Sequence, residues 1–594
     1  MELPSFHRKN QTINDDEESV EALLKKMTMD AGKIQDQVLE EILAKNSKTE
    51  YLSRFFADAD DNVKQVFKKK VPLVEYSDLL PYIDRIADGE PHSIVSADPI
   101  LELIRSSGTS GGKQKLFPRT AQELRLTASF HECSRNILNK HIVDDDQPLN
   151  GRKRMFLSFL APENTTPSNL VVRSAVTSIM RNTLAQSLPL NPPLGTSPPE
   201  VTMCKDVRQS MYSQLLCGLL RRESVMSVGT IFAAGFVHMI KFLEQHWEAL
   251  CCNIRQGRIS DWIDDPKCRG ALSYILSRPM PDLADAISKE FENKSWEGII
   301  KKLWPGVKCI ETVVTGSMAQ YIPKLEFYGG GLPIVSMIYA ASEGSFGINL
   351  KPLSDPYDVS YCLAPWMAYY EFLPFDPTSE DDADLNNGKV VDLVHVKVGQ
   401  HYELVVTTCS GLNRYRVGDI LMVSSFHNNA PQFRFVRRKN VILSIDFDKT
   451  TEEDLIKTIS KAIHNILEPH GFLLTDYTSY ADSRSFPGHY VLFWELQDHG
   501  GLGHDDGFVQ MMRGCCNLVD ESLDEAYKKC RVRNLIGPLE IKVVKQGTFD
   551  ALMDFTLSRR KSASPSQYKP LKCITSEDAI QMMNSMVIAT FFSN

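Results

Sequence analysis

The sequence predicts an α/β protein in which a large N-terminal α/β domain precedes a smaller C-terminal α+β domain. The chain has 594 residues, more than a single domain of roughly 150 residues needs. Helical and strand-like patterns alternate over the N-terminal three-quarters, which is typical of α/β sheets. The last part has its own β-α-β-β-α-β pattern, which is the order of a ferredoxin-like unit.

Helical patterns dominate the N-terminal part of the chain. An apolar run at Ile100–Ile104 leads into a Ser/Gly/Thr loop, and the proline-rich segment Gln186–Glu200 is predicted to be a surface loop. Apolar residues recur at helical spacing in the other segments. The predicted helical segments are Glu18–Lys45, Tyr51–Val74, Thr120–Lys140 and most of Met211–Trp304.

Short segments rich in β-branched and aromatic residues predict strands. In the larger domain they are Cys309–Thr315, Ile334–Tyr339, Val390–Leu393, Tyr402–Thr407 and Ile420–Ser424. In the smaller domain they are Val441–Asp446, Leu474–Tyr480, His489–Glu495 and Leu539–Val544, with helices at Thr451–Leu467 and Val509–Val532. We place the boundary near Phe435–Asn440, which gives domains of 1–435 and 436–594.

Composition and charge restrict the class of protein. Hydrophobic residues make up 43% and charged residues 24%, as in ordinary globular proteins, and the net charge of −9 disfavours nucleic acid and anionic membranes as partners. The N-terminus has no secretory signal pattern, and no window approaches roughly 18 uncharged apolar residues. The 13 cysteines include no C-x-x-C pair, which favours reduced thiols in a cytoplasmic protein. We expect a monomer.

The first candidate motif is Ser106-Ser107-Gly108-Thr109-Ser110-Gly111-Gly112-Lys113. Backbone N–H groups and hydroxyls in such a run can converge on an anion, so it is a candidate phosphate-binding loop. It is not a Walker A loop, since Ser107 stands where that motif has glycine and Gln114 where it has serine or threonine. The alternative is a flexible loop.

The second candidate motif, Tyr339-Ala340-Ala341-Ser342-Glu343-Gly344, follows a predicted strand. Its glutamate can bind Mg²⁺ and its tyrosine can stack on an adenine. The alternative is a turn with one solvated carboxylate.

The third candidate motif is Tyr415-Arg416-Val417-Gly418-Asp419-Ile420. One carboxylate can accept hydrogen bonds from both hydroxyls of a ribose. The alternative is a β-turn aspartate, because Gly-Asp is common in turns.

The order and spacing of the three motifs resemble the adenylate-forming superfamily, which makes acyl-AMP. Within it, the chain resembles the plant Gretchen Hagen (auxin-responsive) acyl-acid amido synthetases, from about Ile34 to the end. Ala340 departs from a frequent Gly or Ser, and the tail lacks the usual Thr between Lys569 and Pro570. Four further stretches match: Val314–Met318, Phe346–Asn349, Phe435–Asn440 and Gly547–Asp550.

The resemblance implies a ligase that uses ATP and Mg²⁺ to adenylate a small carboxylic acid and then transfers the acyl group to an amino acid. AMP and pyrophosphate are released. Glu343 would bind Mg²⁺ and Asp419 the ribose. The phosphates would be held by Ser106, Ser107, Thr109 and Ser110, and the adenosine by Thr315, Tyr339, Ala340, Ala341 and Ser342.

The resemblance also implies a mobile C-terminal domain that rotates between two half-reactions. Arg438 stands at the hinge position, and Lys569 resembles a lysine that reaches the phosphate or carboxylate during adenylation. An exposed tail lysine is the alternative for Lys569.

The chain resembles the branch of the family that uses benzoate-like or chorismate-like acids more than the auxin or jasmonate branches, which implies an acid of that type. His131 also fits an ordinary helix residue with satisfied hydrogen bonds. The residues that the resemblance implies for the acid pocket are Phe130, His131, Arg173, Thr177, Ser178 and Met318. Alternatives are an auxin- or jasmonate-conjugating enzyme of the same family, an acyl-CoA ligase, and a non-catalytic receptor for a small acid.

Overall fold

The computed structural model describes residues 24–56, 63–110, 113–143, 151–186, 195–292, 295–376, 389–439, 441–443, 445, 450–482, 484, 487–498, 506–532, 534–559 and 570–594. These residues form two compact units, with the division between Val436 and Arg437.

The helices in chain order are α1 (Ala31–Asn46), α2 (Glu50–Phe56), α3 (Val63–Lys70), α4 (Tyr76–Asp88), α5 (Ala121–Ile142), α6 (Ala175–Gln186), α7 (Pro199–Thr202), α8 (Val207–Leu220), α9 (Ala233–Gln256), α10 (Pro266–Ile275), α11 (Pro281–Glu292), α12 (Ile299–Leu303), α13 (Ile322–Gly329), α14 (Glu452–Ala462), α15 (Asp506–Ser522), α16 (Glu525–Val532), α17 (Thr548–Arg559) and α18 (Glu577–Ser585).

The strands are β1 (Ile100–Ser110), β2 (Lys113–Thr120), β3 (Lys153–Leu157), β4 (Asn164–Thr165), β5 (Val171–Ser174), β6 (Val225–Phe232), β7 (Cys309–Val313), β8 (Ile334–Val335), β9 (Ile338–Ala341), β10 (Gly344–Ile348), β11 (Tyr361–Leu363), β12 (Tyr369–Phe375), β13 (Val391–Asp392), β14 (His401–Thr407), β15 (Tyr415–His427), β16 (Ala430–Arg438), β17 (Val441–Leu443), β18 (Thr450–Thr451), β19 (Phe472–Asp482), β20 (His489–Asp498), β21 (Glu540–Val544) and β22 (Val587–Phe592).

Three sheets organise the N-terminal unit. A parallel sheet has the order β3-β6-β7-β8, a mixed sheet the order β2-β1-β5-β4, and an eight-stranded sheet the order β13-β12-β14-β15-β16-β11-β10-β9. Helices alternate with the parallel strands, so the predicted α/β class is confirmed for this unit.

The parallel sheet corrects one part of the sequence prediction. Residues of β6 were expected to be helical, but they form a strand between β3 and β7 whose first six residues are buried. A central parallel strand is covered on both faces and therefore reads as a continuous apolar run. Such a run has no period of two to distinguish it from a buried helix.

The C-terminal unit is α+β, as predicted, and its elements from β17 to β21 follow the predicted β-α-β-β-α-β order along the chain, but the first strand does not join the main sheet. Its sheet runs β19-β20-β21-β22, and β17 pairs with β18 outside this sheet. The C-terminal strand β22 pairs antiparallel with β21 and takes the edge of the sheet. Tyr490 and Trp494 of β20 belong to one buried cluster with Cys515 of α15.

None of the helices in the described ranges combines the length and the apolarity that crossing a bilayer requires. All 13 cysteines are free thiols.

Candidate active site

The second and third sequence motifs meet through one hydrogen bond. Tyr339, on β9, donates its hydroxyl hydrogen to Oδ2 of Asp419, on β15, over 2.8 Å. Both side chains are buried, and Asp419 is only 2% exposed. Because a buried carboxylate requires hydrogen-bond donors, this contact stabilises Asp419 and fixes one of its oxygens.

Aromatic rings surround this hydrogen bond. The Tyr339 ring centroid lies 5.7 Å from that of Phe346, 6.0 Å from that of Tyr361 and 6.2 Å from that of Phe435. We call these four residues the aromatic cluster. Tilted ring contacts of this kind favour a defined arrangement of the rings, so the cluster holds Tyr339 in place.

Thr315 lies against the same cluster. Its Oγ1 is 3.4 Å from the hydroxyl of Tyr361, and that hydroxyl is 2.8 Å from Oγ of Ser336. The next residue, Gly316, has φ +64°, and a Cβ atom there would lie 2.9 Å from the ring of Phe435. Glycine is therefore required both by the backbone conformation and by the close ring.

Arg119 holds the turn that carries Glu343. Its Nη2 donates to the carbonyl of Ser342 over 2.7 Å, and its Nη1 donates to the carbonyl of Glu343 over 3.0 Å. The same guanidinium forms a buried ion pair with Glu123 at 2.9 Å. Glu343 is itself buried. The turn is thus fixed through its main chain by a residue of another sheet.

The candidate phosphate-binding run is a β-hairpin rather than the predicted loop. β1 continues to Ser110, β2 begins at Lys113, and these two residues are register partners. The strand is irregular between Arg105 and Thr109. Ser106 is half-buried; the side chains of 107–114 lie outside the described part of the structure, as do Gly111 and Gly112 entirely.

The small residues of the second motif lie on β9 and its turn. Ala340 is exposed, whereas Ala341 and Ser342 are half-buried. Ala340 and Ala341 pair with Ser345 and Gly344 of β10. The motif is therefore a hairpin, with Tyr339 facing inward and Ala340 facing outward.

Arg173, Thr177 and Ser178 belong to an internal polar network. Arg173 pairs with Glu102 at 3.3 Å and with Glu163 at 2.9 Å, and Ser178 also hydrogen-bonds to Glu102. Thr177 accepts a hydrogen bond from the hydroxyl of Ser174. Thr177 and Ser178 are thus hydrogen-bonded within the protein, and Arg173 is paired with carboxylates although its Nε has no hydrogen-bond partner among the described residues.

The other predicted acid-pocket residues lie in the interior. Phe130 and Met318 are buried in hydrophobic clusters. His131 packs edge-on against Phe130, and its buried Nε2 has no hydrogen-bond partner among the described residues, which disagrees for this nitrogen with the alternative of satisfied hydrogen bonds. Burial, together with Arg135, lowers the pKa of His131 to about 4.

The two residues predicted for the C-terminal domain are not described in the same detail. Lys569 lies outside the described residues, and the side chain of Arg438, at the end of β16, does too. The hinge and lysine assignments therefore stay predictions.

Sequence reasoning missed Arg119, Tyr361 and Phe435. Phe435 was within a quoted family stretch, but its contact with Gly316 was not inferable from spacing. Arg119 had one local signal, since Glu123 follows it at the i+4 position. Its hydrogen bonds to the Glu343 turn join residues more than 220 positions apart, so no local sequence pattern could indicate them.

Comparison of the sequence with known proteins identifies one family. The GH3 family N-terminal domain matches residues 21–334, the GH3 family central domain 361–438 and the GH3 family C-terminal domain 453–578. The Arabidopsis thaliana indole-3-acetic acid-amido synthetase GH3.17 is 50% identical over 96% of this chain and 95% of its own length. The 4-substituted benzoates-glutamate ligase GH3.12 of the same plant is 46% identical over 98% and 99%.

Solved structures agree with the sequence comparison. AtGH3.15 acyl acid amido synthetase in complex with 2,4-DB has a TM-score of 0.89 at 47% identity and covers 98% of each chain. A 2-hydroxyisobutyryl-CoA ligase with bound 2-HIB-AMP, 10% identical over 97% of this chain and 92% of its own, shares the fold at a TM-score of 0.50.

The fold is that of an acyl acid amido synthetase. The chain belongs to the GH3 family of acyl acid amido synthetases, as the sequence motifs predicted, and is a ligase that forms carbon–nitrogen bonds.

Proposed function

We propose that this enzyme adenylates a small aromatic carboxylic acid with ATP and Mg²⁺ and joins the acyl group to an amino acid, releasing AMP and pyrophosphate. The observation that carries the proposal is the Tyr339–Asp419 hydrogen bond within the aromatic cluster. It joins two of the three motifs on one sheet, with Thr315 and the Glu343 turn beside them. A carboxylate next to aromatic rings suits the ribose and base of a nucleotide.

In this proposal Asp419 accepts hydrogen bonds from the ribose hydroxyls, and Thr315 with residues 339–342 surrounds the adenosine. The hydroxyls and main-chain N–H groups of Ser106, Ser107, Thr109 and Ser110 hold the phosphates. These donors would stabilise the negative charge that builds as the carboxylate attacks phosphorus and pyrophosphate departs.

Glu343 is the proposed Mg²⁺ ligand. Mg²⁺ prefers oxygen ligands and is commonly bound by one or two carboxylates together with substrate phosphates. A buried carboxylate on a turn held by Arg119 fits that donor set. Bound Mg²⁺ would neutralise phosphate charge, and Glu343 would hold its position.

The acid is proposed to be benzoate-like, and this is supported by the 46% identity to the 4-substituted benzoates-glutamate ligase. Indole-3-acetic acid is the second candidate, because the relative named for it is 50% identical. Phe130, His131, Arg173, Thr177, Ser178 and Met318 stay predictions for the acid pocket. Since their polar atoms are internal here, binding through them would require local rearrangement.

In this proposal residues 1–435 form the domain that carries the ATP and acid pockets, and residues 436–594 form a domain that moves between the two half-reactions. Arg438 would act at the hinge and Lys569 would contact the phosphate or carboxylate during adenylation. A cytoplasmic location is proposed from the cysteine usage, because 13 free thiols suit a reducing compartment. The monomeric state stays a prediction.

The test is a pyrophosphate-release assay with ATP and Mg²⁺, screened over benzoates, chorismate, indole-3-acetate and jasmonate against the twenty amino acids and coenzyme A. We expect release with an aryl acid and an amide product. A thioester as the only product would refute the amide synthetase assignment, and no release with any acid would favour a receptor.

The ribose role is tested by Asp419→Ala, which we expect to raise the KM for ATP at least tenfold. Asp392→Ala is the matched control, because Asp392 accepts a hydrogen bond from Tyr369 over 3.0 Å in the same sheet. Equal KM values for ATP in the wild type and Asp419→Ala would count against the ribose role.

A further inference from the structure

One buried arginine differs from the others in having no carboxylate partner. Four arginines are buried in the part of the chain that the structure describes: Arg105, Arg119, Arg222 and Arg414. Three form ion pairs over 3.5 Å or less: Arg119–Glu123, Arg222–Glu223 and Arg414–Glu371. Arg105 forms none with any residue in the described ranges.

Only some of the N–H donors of the Arg105 guanidinium have hydrogen-bond partners. It is 8% exposed, and Nη2 donates to the carbonyls of Pro162 at 3.1 Å and Val172 at 3.2 Å. Its buried Nε has no hydrogen-bond partner among the described residues. Burial lowers the pKa of Arg105, but arginine stays charged in proteins. A buried charge with unused donors suits an anionic oxygen.

Arg105 also stands between the two segments proposed to bind substrate. It immediately precedes Ser106 on β1, the first residue of the candidate phosphate-binding hairpin. On its other side it is the register partner of Ser174 on β5, next to Arg173 of the acid-pocket motif. Arg105 is therefore next to the candidate phosphate-binding hairpin along the chain and next to the acid-pocket motif across the sheet.

We propose that Arg105 binds an anionic oxygen of the substrates, which is either a phosphate oxygen of ATP or the carboxylate of the acid. This proposal rests on the proposed function of the same site. Arginine presents a planar set of N–H donors that fits both kinds of oxygen.

Equilibrium binding to the full-length protein tests the proposal. The probes are ATP with Mg²⁺, benzoate and indole-3-acetate, each titrated separately by calorimetry. For Arg105→Met we expect at least tenfold weaker binding of one class of probe and unchanged binding of the other. The class that weakens identifies the source of the oxygen. Wild-type affinities for all three probes would overturn the proposal.

Arg222→Met is the matched control, since Arg222 is equally buried, also has an Nε without a hydrogen-bond partner among the described residues, and donates to the carbonyl of Lys302. It differs from Arg105 in its ion pair with Glu223 at 3.5 Å. We expect it to bind all three probes like the wild type. Equal weakening in Arg105→Met and Arg222→Met would overturn the proposal, because it would point to a general loss of structure.

Arg105→Lys is used if Arg105→Met does not fold. It keeps the charge but loses the Nε–H donor, so we expect weaker binding of the same class of probe. Failure of both variants to fold with saturating probes would assign Arg105 a purely structural role and overturn the proposal. Failure of the proposed function is recognised separately, because the wild type would then bind none of the probes and release no pyrophosphate.

Discussion

The hydroxyl of Tyr339 donates a hydrogen bond to Asp419 across the sheet, and a second tyrosine–aspartate pair, Tyr369 and Asp392, has the same contact at 3.0 Å. The first pair is buried at the candidate nucleotide site. In the second pair Tyr369 is buried and Asp392 is half-buried, and the two residues lie on β12 and β13, at the other edge of the sheet. Substitutions in the two pairs can therefore be compared to separate the effect of a tyrosine–aspartate hydrogen bond on stability from its effect on ATP binding.

Tyr339→Phe leaves the Asp419 carboxylate without its tyrosine donor. We expect the free energy of unfolding to fall by about 1–3 kcal/mol, the usual penalty for a lost partner of a buried polar group. The KM for ATP should rise several-fold, because Asp419 is no longer oriented. Urea denaturation and steady-state kinetics measure the two effects.

Tyr369→Phe is the control for this change. It should lose stability without affecting the KM for ATP. A Tyr339→Phe enzyme with the ATP kinetics of the wild type would show that the hydrogen bond serves stability alone.

Removing Arg119 should impair the use of Mg²⁺. In Arg119→Met the carbonyls of Ser342 and Glu343 lose their donors and Glu123 loses its cation. Breaking a buried ion pair costs about 3–5 kcal/mol, so the single variant should be much less stable. We expect the Mg²⁺ concentration for half-maximal activity to rise at least fivefold.

A double variant separates the two losses. In the double variant, Arg119→Met with Glu123→Gln, no unpaired carboxylate is left at position 123. The melting temperature of this variant should therefore return much of the way from that of Arg119→Met to that of the wild type, while its Mg²⁺ requirement stays high. If both properties recover together, Arg119 acts through stability and not through the turn.

His131 should make stability depend on pH. Its pKa in the folded protein is about 4, below the ordinary value of 6.5, so the unfolded chain binds more protons in this interval. Stability should therefore fall as the pH drops from about 6.5 towards 4, by up to about 3 kcal/mol.

The measurement is urea denaturation of the wild type and His131→Gln at pH 7.5 and pH 5. The wild type should lose more stability on acidification than the variant, which has no imidazole to protonate. Identical losses would mean that His131 is accessible to protons in the folded state.

Gly316→Ala tests the contact between the residue after Thr315 and the aromatic cluster. The added methyl group would meet the ring of Phe435 at 2.9 Å in a backbone conformation with φ +64°. The left-handed conformation alone costs roughly 1–2 kcal/mol for a residue with a Cβ atom. Gly399→Ala is the control, because φ is +82° there and no atom lies within 4 Å. A larger fall in melting temperature for Gly316→Ala than for Gly399→Ala is expected, and equal falls would show that Phe435 moves aside freely.

The sequence allowed the fold class and the family to be predicted because local patterns and short motifs carry both. The strand predicted at Ile420–Ser424 lies within β15, since β-branched and aromatic residues cluster there. The strand predicted at Ile334–Tyr339 is instead divided between β8 and β9, which belong to different sheets. The buried strand β6 was missed for the opposite reason, because its apolar run is compatible with a helix as well as a strand.

The site could be predicted only in part. Motif order indicated that Thr315, Tyr339 and Asp419 act together, but the hydrogen bond that joins two of them is a tertiary contact. Arg105 and Arg119 could not be identified as buried site residues from the sequence, because nothing in the local sequence distinguishes a buried arginine from an exposed one. Their partners are main-chain carbonyls, and any residue supplies a carbonyl.

Main-chain recognition by Arg119 also bears on how this enzyme can be redesigned. The arginine donates to the carbonyl oxygens of Ser342 and Glu343 and not to their side chains, so its contacts with the turn do not depend on which side chain stands at either position. Half-buried Ser342 can therefore be varied in a library while the hairpin keeps its shape, whereas Glu343 is buried and should be kept. Arg119 and Glu123 are the positions that such a library should leave untouched.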